Sequence, residues 1–340
     1  MIRRARVYAG GAAVAAVTMA QLLLLTGLGV VGYAVGRVAE LAGIKRASRA
    51  AATYFAHLAA VFTVAAVRWW CRVRVRMSAE SRQVLAAMAA DHRGGVILVN
   101  HPSYADALVL GSVLSSMEDV GTRCLRYVSI RYLLASPHAW LQALRGDVFV
   151  AGGAREAAAS AVRAGAADCA SPDEHTHWML VAPEGAVMTA ALAASSQRWA
   201  ASRGRPPLRL VLYPRTLAVG EAMRVLAANA ALHDVYDITL CYPGGHGPRV
   251  VDILFPQHDR GLTIDVAVVR HDPPPKESLV SEDALEDWLY TLFAGKDAAL
   301  QAMVEAGGSG MRDVELASSF WHAMRAWAVV VGSALAAAAV

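Results

Sequence analysis

Hydrophobic positions along the chain follow two different patterns. Two long apolar runs come first and predict helices over residues 7–36 and 50–67. Short apolar runs then alternate with segments of helical periodicity, which is typical of an α/β domain with a mostly parallel or mixed sheet flanked by helices. We therefore expect N-terminal membrane-anchoring helices at residues 1–76, an α/β domain at 77–308 and an apolar C-terminal segment at 309–340.

Short apolar runs predict the strands of this domain, and apolar residues at helical spacing predict its helices. The predicted strands are residues 96–99, 126–129, 147–150, 178–182, 209–213, 237–241, 250–254 and 263–270. The predicted helices are residues 81–90, 107–115, 132–144, 154–169, 221–233 and 283–306. The last helix has the clearest pattern, because Ser281 can cap its start and Gly307 and Gly308 can end it.

The first apolar run has 30 residues without a charge and is long enough to span a bilayer. A cleaved signal peptide is the competing interpretation, but its apolar core is only about 7 to 15 residues long. The second run is just long enough to span, and Trp69 and Trp70 follow it among arginines, as at a membrane interface. The C-terminal run, 326–340, has 15 residues and predicts a shallow or re-entrant segment or part of a span.

Basic residues around the two runs indicate which side of a membrane the α/β domain occupies. If the runs form a spanning hairpin, seven basic residues lie on its outer sides and four in its loop, so the positive-inside rule places the domain in the cytosol. The outer residues are Arg3, Arg4, Arg6, Arg68, Arg72, Arg74 and Arg76, and the loop residues are Arg37, Lys45, Arg46 and Arg49. The alternative is a pair of helices that lies in one leaflet without crossing.

Composition argues against several other kinds of site and partner. The net charge of +4 comes largely from arginines placed where anionic lipid head groups lie, so nucleic acid is not an expected partner. The four cysteines are far apart and form no C-x-x-C pair, which fits a reducing compartment without a disulfide framework or a zinc site. His175 and His177 alternate like metal ligands but lack a third ligand, and we predict no metal site.

The candidate chemistry follows the strand predicted at residues 96–99, where His101 precedes Asp106 by five positions. A neutral imidazole can act as a general base near neutral pH, and a carboxylate can orient it and stabilise the imidazolium. Ser103 and Asp106 also form a capping box for the helix that follows. The spacing alone equally fits a structural pair, in which Asp106 only caps helix amides.

Two further polar clusters follow predicted strands, as the histidine and aspartate do. The clusters are Pro183-Glu184-Gly185 and Pro214-Arg215-Thr216. Each cluster alone is a turn marked by proline or glycine. All three elements in this order are much less expected by chance.

With these motifs the sequence resembles the 1-acylglycerol-3-phosphate and lysophospholipid acyltransferase family. The matching segments are Asn100-His101-Pro102-Ser103-Tyr104-Ala105-Asp106 and the two clusters above. Other segments resemble the eukaryotic branch of lysocardiolipin and lysophosphatidylinositol acyltransferases. They are Val235-Tyr236-Asp237-Ile238-Thr239, Trp288-Leu289, Phe293, Lys296-Asp297 and Leu300, and the Pro214-Arg215-Thr216 cluster resembles the same branch. The resemblance extends over about residues 76–307 and implies a glycerolphosphate-acyltransferase-like domain.

The resemblance implies that His101 is the base for the acceptor hydroxyl and that Asp106 orients it. The substrate-binding candidates are Asn100, Ser103, Glu184, Gly185 and Arg215. The family links its Glu-Gly motif to the glycerophosphate acceptor, but a carboxylate repels a phosphate, so Glu184 suits a hydroxyl or a cation better. The Arg215 guanidinium can donate two parallel hydrogen bonds to a phosphate.

Two segments depart from the family pattern. Ala182 stands where phenylalanine is usual, and Ala186-Val187 replaces the usual threonine and arginine after Gly185. The second family motif resembles Gly146-Asp147-Val148-Phe149-Val150, but its arginine falls on Ala151 or Gly152. Either Arg155 substitutes through a local shift or head-group binding differs.

We therefore expect a membrane-bound O-acyltransferase that transfers a fatty acyl group from acyl-CoA to the free hydroxyl of a lysophospholipid. Acyl-CoA is a co-substrate, no cofactor is expected, and no residue is indicated as the nucleophile of an acyl-enzyme. Membrane lipids are expected partners, and the resemblance implies the endoplasmic reticulum. The alternatives are a CoA-independent phospholipid transacylase and a catalytically reduced membrane scaffold that retains the fold.

Overall fold

The computed structural model of the protein describes residues 2–44, 47–90, 94–114, 125–171, 178–245, 247–249, 261–315 and 321. The described residues form an eight-stranded sheet flanked by helices and preceded by two long helices, which confirms the predicted α/β class. The strands are β1 (Arg74–Met77), β2 (Gly95–Val99), β3 (Leu125–Ile130), β4 (Val148–Val150), β5 (Trp178–Val181), β6 (Asp234–Cys241), β7 (Thr263–His271) and β8 (Arg312–Asp313). The helices are α1 (Ile2–Leu41), α2 (Ala47–Cys71), α3 (Ala79–Ala90), α4 (Asp106–Leu114), α5 (Pro137–Arg145), α6 (Arg155–Cys169), α7 (Ala190–Ser202), α8 (Thr216–Ala228), α9 (Lys276–Val280) and α10 (Glu282–Ala306).

The strand order across the sheet is β4-β3-β5-β2-β6-β7-β1-β8. Neighbouring strands run parallel, except that β6 with β7 and β1 with β8 are antiparallel. β2 lies between β5 and β6 in parallel register with both, and Val96 is opposite Met179 on one side and Val235 on the other. The segments that follow β2, β5 and β6 therefore meet at one edge of the sheet.

β2 is buried on both faces, as its continuous apolar run predicts. Successive side chains of a strand point to opposite faces, and the two faces have separate apolar clusters. Ile97 and Val99 pack in the cluster that contains residues of α3 and α4. Val96 and Leu98 pack in the cluster that contains residues of α6, α8 and α10. The end of β2 is therefore rigidly placed.

Several predicted helices differ in their bounds from the observed ones. Residues 132–144 were predicted as one helix but form a 3-10 helix, Arg131–Ala135, followed by α5, because Pro137 starts a new helix. The helix predicted at 221–233 begins and ends earlier, as α8. The hydrophobic pattern does not predict α7, since Ala200 is the one buried residue among those described in it.

The strand predicted at residues 209–213 is wrong. Its backbone N–H groups donate to side-chain oxygens of Asp297, Glu184 and Ser196 instead of a neighbouring strand. The prediction also omits β1 and β8, short edge strands with charged residues. β8 brings the first part of the predicted C-terminal segment into the sheet, whereas the strand predicted at 250–254 and the apolar run at 326–340 lie outside the described residues.

The N-terminal helices pack on each other and on the α/β domain. Ala59 and Phe62 of α2 are buried with Leu25 of α1 and Leu141 of α5. Arg49, near the start of α2, pairs with Asp168 of α6 at 2.5 Å. Near the other end of α2, the Arg68 guanidinium donates to the carbonyl oxygen of Val314 at 3.2 Å. α2 is therefore held against the domain at both ends.

One segment of the described residues, Met19–Leu41 in α1, is long and apolar enough to cross a membrane. The second apolar run of the sequence, residues 50–67, lies in α2. Part of it packs against α1 and α5.

The hairpin of α1 and α2 depends on Gly36, where a Cβ atom would lie 2.3 Å from the backbone N and Cα of Ser48. We predict that Gly36→Ala lowers the melting temperature of the detergent-solubilised protein, although alanine favours a helix by about 1 kcal/mol over glycine. Gly27→Ala is the matched control in the same helix, since a Cβ there has nothing within 4 Å, and it should be neutral or stabilising. Equal melting temperatures for the two variants would contradict this packing.

Candidate active site

His101 and Asp106 lie at the corner between β2 and α4. His101 Nδ1 is 2.9 Å from Asp106 Oδ2. The aspartate is buried, whereas the histidine side chain is 32% exposed. Because an ionised carboxylate only accepts hydrogen bonds, Nδ1 carries the proton in the neutral ring and Nε2 is the nitrogen that can act as a base.

Three donors hold the Asp106 carboxylate. Besides His101 Nδ1, the Ser103 N–H donates to Oδ2 at 3.0 Å and the Tyr242 hydroxyl donates to Oδ1 at 2.6 Å. Burial raises the pKa of Asp106, and these hydrogen bonds act in the opposite direction because they stabilise the ionised form. Burial and the neighbouring carboxylate together raise the pKa of Tyr242 well above its ordinary value, so this phenol is a donor at neutral pH.

The hydroxyl of Ser103, a predicted substrate contact, both accepts and donates a hydrogen bond within the protein. It accepts from the Ala105 N–H at 3.0 Å and donates to the carbonyl oxygen of Pro248 at 2.5 Å. The bond from the Ser103 N–H to Asp106 is one half of the predicted capping box. Ser103 thus begins α4 and attaches it to the segment after β6.

Asn100, also a predicted substrate contact, uses its side-chain amide for hydrogen bonds to the backbone of Leu240. Its Nδ2 donates to the carbonyl oxygen of Leu240 at 3.0 Å, and its Oδ1 accepts from the Leu240 N–H at 2.8 Å. The buried side chain therefore continues the pairing of β2 with β6 beyond Val99. This pairing positions the residue before His101.

Glu184 supports the backbone of His101 directly. Its Oε1 accepts from the His101 N–H at 2.7 Å, and its Oε2 accepts from the Leu212 N–H at 2.9 Å. The carbonyl oxygen of His101 accepts from the Met188 N–H at 3.1 Å, so the histidine backbone is held on both sides. The carboxylate is buried, and burial raises the pKa of Glu184 to about 7.

Gly185 and Arg215 are in contact next to Glu184. Gly185 has a φ of +65°, and a Cβ atom there would lie 3.2 Å from Arg215 Cδ. The Arg215 N–H donates to the carbonyl oxygen of Pro183 at 2.8 Å, while its side chain is exposed. Arg215 is the N-cap residue of α8, and its side chain makes no capping hydrogen bond to the helix.

Two buried residues of α10 support the same region from behind. Lys296 Nζ lies 2.5 Å from Asp237 Oδ1 and donates to the carbonyl oxygen of Ile238 at 2.7 Å. Asp297 Oδ1 accepts from the backbone N–H groups of Arg209 and Leu210. These residues of the eukaryotic-branch match therefore support β6 and the segment that leads to Arg215.

The second family motif lies away from this corner. Asp147 forms a buried ion pair with Arg145, with a distance of 2.5 Å between Oδ2 and the guanidinium Nη2. Arg155, the candidate for the missing arginine, is exposed and pairs with Glu282 at the start of α10 at 2.6 Å. The described part of the chain has no group of three or more His, Cys, Asp or Glu side chains that could hold a metal ion, and residues 172–177, which include His175 and His177, lie outside it.

Sequence comparison confirms the resemblance to the 1-acylglycerol-3-phosphate and lysophospholipid acyltransferase family, at modest identity. The chain is similar to 1-acyl-sn-glycerol-3-phosphate acyltransferase gamma of Mus musculus, with 33% identity over 131 residues, 38% of this chain and 33% of that protein. The Homo sapiens protein of the same name is 28% identical over 160 residues, 46% of this chain and 41% of that protein.

The third relative is 2-acyl-1-lysophosphatidylinositol acyltransferase of Saccharomyces cerevisiae. It is 26% identical over 153 residues, 38% of this chain and 34% of that protein. The chain thus spans 33% to 41% of the length of these curated relatives. No protein-family model matches the chain.

Sequence patterns did not indicate Tyr242 or Met188. One feature of the sequence could have indicated Tyr242, since it directly follows the strand predicted at residues 237–241. The ends of parallel strands meet at one edge of the sheet, where His101 also lies. Met188 bonds through its backbone N–H, which no side-chain motif can indicate.

The raised pKa of Glu184 predicts a pH-dependent stability. Native Glu184 keeps its proton up to about pH 7, compared with an ordinary pKa of 4.5, so its contribution to stability is full below pH 4.5 and is lost as the pH rises through about 7. In Glu184→Gln this titration is absent, and we expect the melting temperature of the wild type to fall relative to the variant across that interval.

The matched control is Glu305→Gln, at an exposed glutamate of α10, which should keep the wild-type pH dependence. Thermal unfolding measured at a series of pH values provides the comparison. If Glu184→Gln and the wild type show the same dependence, Glu184 does not titrate as described.

Proposed function

We propose that the protein is an O-acyltransferase that moves a fatty acyl group from acyl-CoA to the free hydroxyl of a lysophospholipid. The observation that carries the proposal is the 2.9 Å contact between His101 Nδ1 and buried Asp106 Oδ2, with the histidine ring partly exposed. The acyltransferase names of the curated relatives support the same reaction class.

In the proposed reaction the acceptor hydroxyl attacks the thioester carbonyl while Nε2 of His101 removes its proton. The carbon–oxygen bond forms, the carbon–sulfur bond breaks, and CoA leaves as a thiolate that takes the proton from the imidazolium. Asp106 stabilises the imidazolium between these steps, because its buried charge lies beside Nδ1. Since the hydroxyl attacks directly, no protein nucleophile is required.

Arg215 is the proposed contact for the acceptor phosphate. Its exposed guanidinium lies against Gly185, and its backbone is at the N-cap position of α8, where the first N–H groups of the helix also favour an anion. Glu184 joins the two parts of the site, since it accepts from the His101 backbone and directly precedes Gly185. Glu184 therefore contributes by positioning the base, and the phosphate contact is assigned to the arginine.

The membrane is the proposed location of the reaction, with α1 as the anchoring element. Leu24 and Val31 on α1 are 51% and 61% exposed, and Trp140 on the neighbouring α5 is also exposed. Exposed apolar side chains of this kind are stable in lipid, and tryptophan suits the interface between lipid and water. Because α2 is attached to the domain at both ends, the domain lies at the membrane surface beside α1.

We predict that His101→Ala lowers kcat/KM for acyl transfer by at least about a hundredfold, the usual minimum contribution of a general base. The purified, folded variant is assayed with a matrix of acyl-CoA and phospholipid donors and lysophospholipid acceptors, which also separates an acyl-CoA-dependent enzyme from a transacylase. His233→Ala, at an exposed histidine before β6, is the control and should keep wild-type activity. Retained activity in His101→Ala would refute the mechanism.

We also predict that Leu24→Glu combined with Val31→Glu weakens attachment to phospholipid vesicles, because a charged side chain is costly in the hydrocarbon region. Vesicle flotation of the purified proteins measures the effect. Val280→Glu, at a position of α9 that is 85% exposed, is the matched control and should float like the wild type. Equal flotation of all the proteins would exclude α1 as the anchor.

A further inference from the structure

Tyr242 lies directly after β6 and is buried beside the catalytic pair. Its hydroxyl donates to Asp106 Oδ1 at 2.6 Å, while Asp106 Oδ2 accepts from His101 Nδ1 at 2.9 Å. The tyrosine is only 1% exposed, so packing fixes its ring and thereby its hydroxyl. Because the two oxygens of a carboxylate rotate together, a donor fixed to one oxygen also sets the direction of the other.

We infer that Tyr242 is a positioning residue for acyl transfer, whose hydroxyl holds the Asp106 carboxylate in the orientation that accepts from His101. The inference rests on the proposed function, since it assigns a role in the same site. Tyr242 acts through Asp106, and no contact between Tyr242 and either substrate is required. The chain of hydrogen bonds thus runs from the end of β6, through the start of α4, to the end of β2.

The hydroxyl also affects the charge of the pair. A donor to Oδ1 stabilises the ionised carboxylate, so the hydrogen bond from Tyr242 lowers the pKa of Asp106 against the effect of burial. In the described part of the chain, Glu184 contacts the His101 backbone, and Lys296, which pairs with Asp237, lowers the pKa of Glu184 by its charge. The hydrogen bonds described for these groups go to other atoms, whereas the Tyr242 hydroxyl donates to Oδ1 of Asp106.

Tyr242→Phe removes the hydroxyl and keeps the ring, so it tests this role without opening a cavity. We expect kcat to fall about fivefold, as for one lost hydrogen bond, while KM for both substrates stays within about twofold. The acid limb of the kcat profile should move to higher pH, because Asp106 is then protonated more easily. A purely structural role would not move that limb.

Tyr290→Phe is the matched control. Its hydroxyl donates to the carbonyl oxygen of Pro206 at 2.8 Å, and it lies on α10 outside the catalytic corner. We expect wild-type kcat and pH dependence from this variant. In an Asp106→Asn background, Tyr242→Phe should cause no further loss, since the residue through which it acts is already changed.

A spectroscopic measurement tests the inference independently of turnover. The Nδ1 proton of a histidine bonded to a carboxylate gives a downfield NMR signal, which the His101→Ala variant identifies by its disappearance. In Tyr242→Phe this signal should move further downfield, because Asp106 becomes a stronger acceptor for His101 when it loses one of its two other donors. Tyr290→Phe should leave the signal in place.

The outcomes separate this inference from the proposed function. An unchanged acid limb and an unchanged NMR signal in Tyr242→Phe would overturn the role of the tyrosine, even if acyl transfer depends on His101. A wild-type protein that acylates no acceptor would overturn the proposed function, and the NMR comparison would still decide whether Tyr242 orients the pair. An additive loss in the Asp106→Asn background would also overturn the inference, since Tyr242 would then act by another route.

Discussion

The buried carboxylate of Asp106 must be compensated by donors, and much of the active-site geometry follows from this requirement. Burying a charged group away from water costs several kcal/mol of folding free energy unless hydrogen-bonding or charged partners surround it. Its donors come from His101, the second residue after β2, from the Ser103 N–H before α4 and from Tyr242, the residue after β6. The Asp106 carboxylate therefore links the ends of β2 and β6 to the start of α4 through hydrogen bonds. The bond to Nδ1 orients the partly exposed ring of His101.

Carboxylates also replace strand pairing in the rest of the site. Glu184 accepts from the backbone of His101 and of Leu212, and Asp297 accepts from Arg209 and Leu210. These bonds hold an extended segment beside the sheet without making it a strand. The arrangement leaves Arg215 at the surface, next to Gly185 and at the start of α8, while the acidic residues around it are buried. The site thus combines a buried support with a partly exposed histidine ring and an exposed guanidinium.

The sequence predicted the parts of this site that depend on local pattern. β2, α4 and the order of the motifs follow from apolar runs, a capping box and the convergence of parallel strand ends. The irregular conformation of residues 209–213 was not predictable, because its partners Glu184 and Asp297 lie 28 to 88 positions away in the chain. The contacts of α2 with α1 and α5 were not predictable for a related reason, since hydropathy does not indicate which residues pack together. The position of Tyr242 beside Asp106 could not be predicted without knowing that β2 and β6 are neighbours in the sheet.

Direct attack of an acceptor hydroxyl on a thioester is tested most directly by following the acyl group itself. Purified protein is mixed with acyl-CoA labelled in the acyl chain and a lysophosphatidic acid, and mass spectrometry follows the lipid, free CoA and the protein. Direct attack predicts one newly acylated phospholipid for each CoA released, with no change in protein mass. CoA release without acylated lipid, or an acyl adduct on the protein that later passes to the lipid, would contradict it.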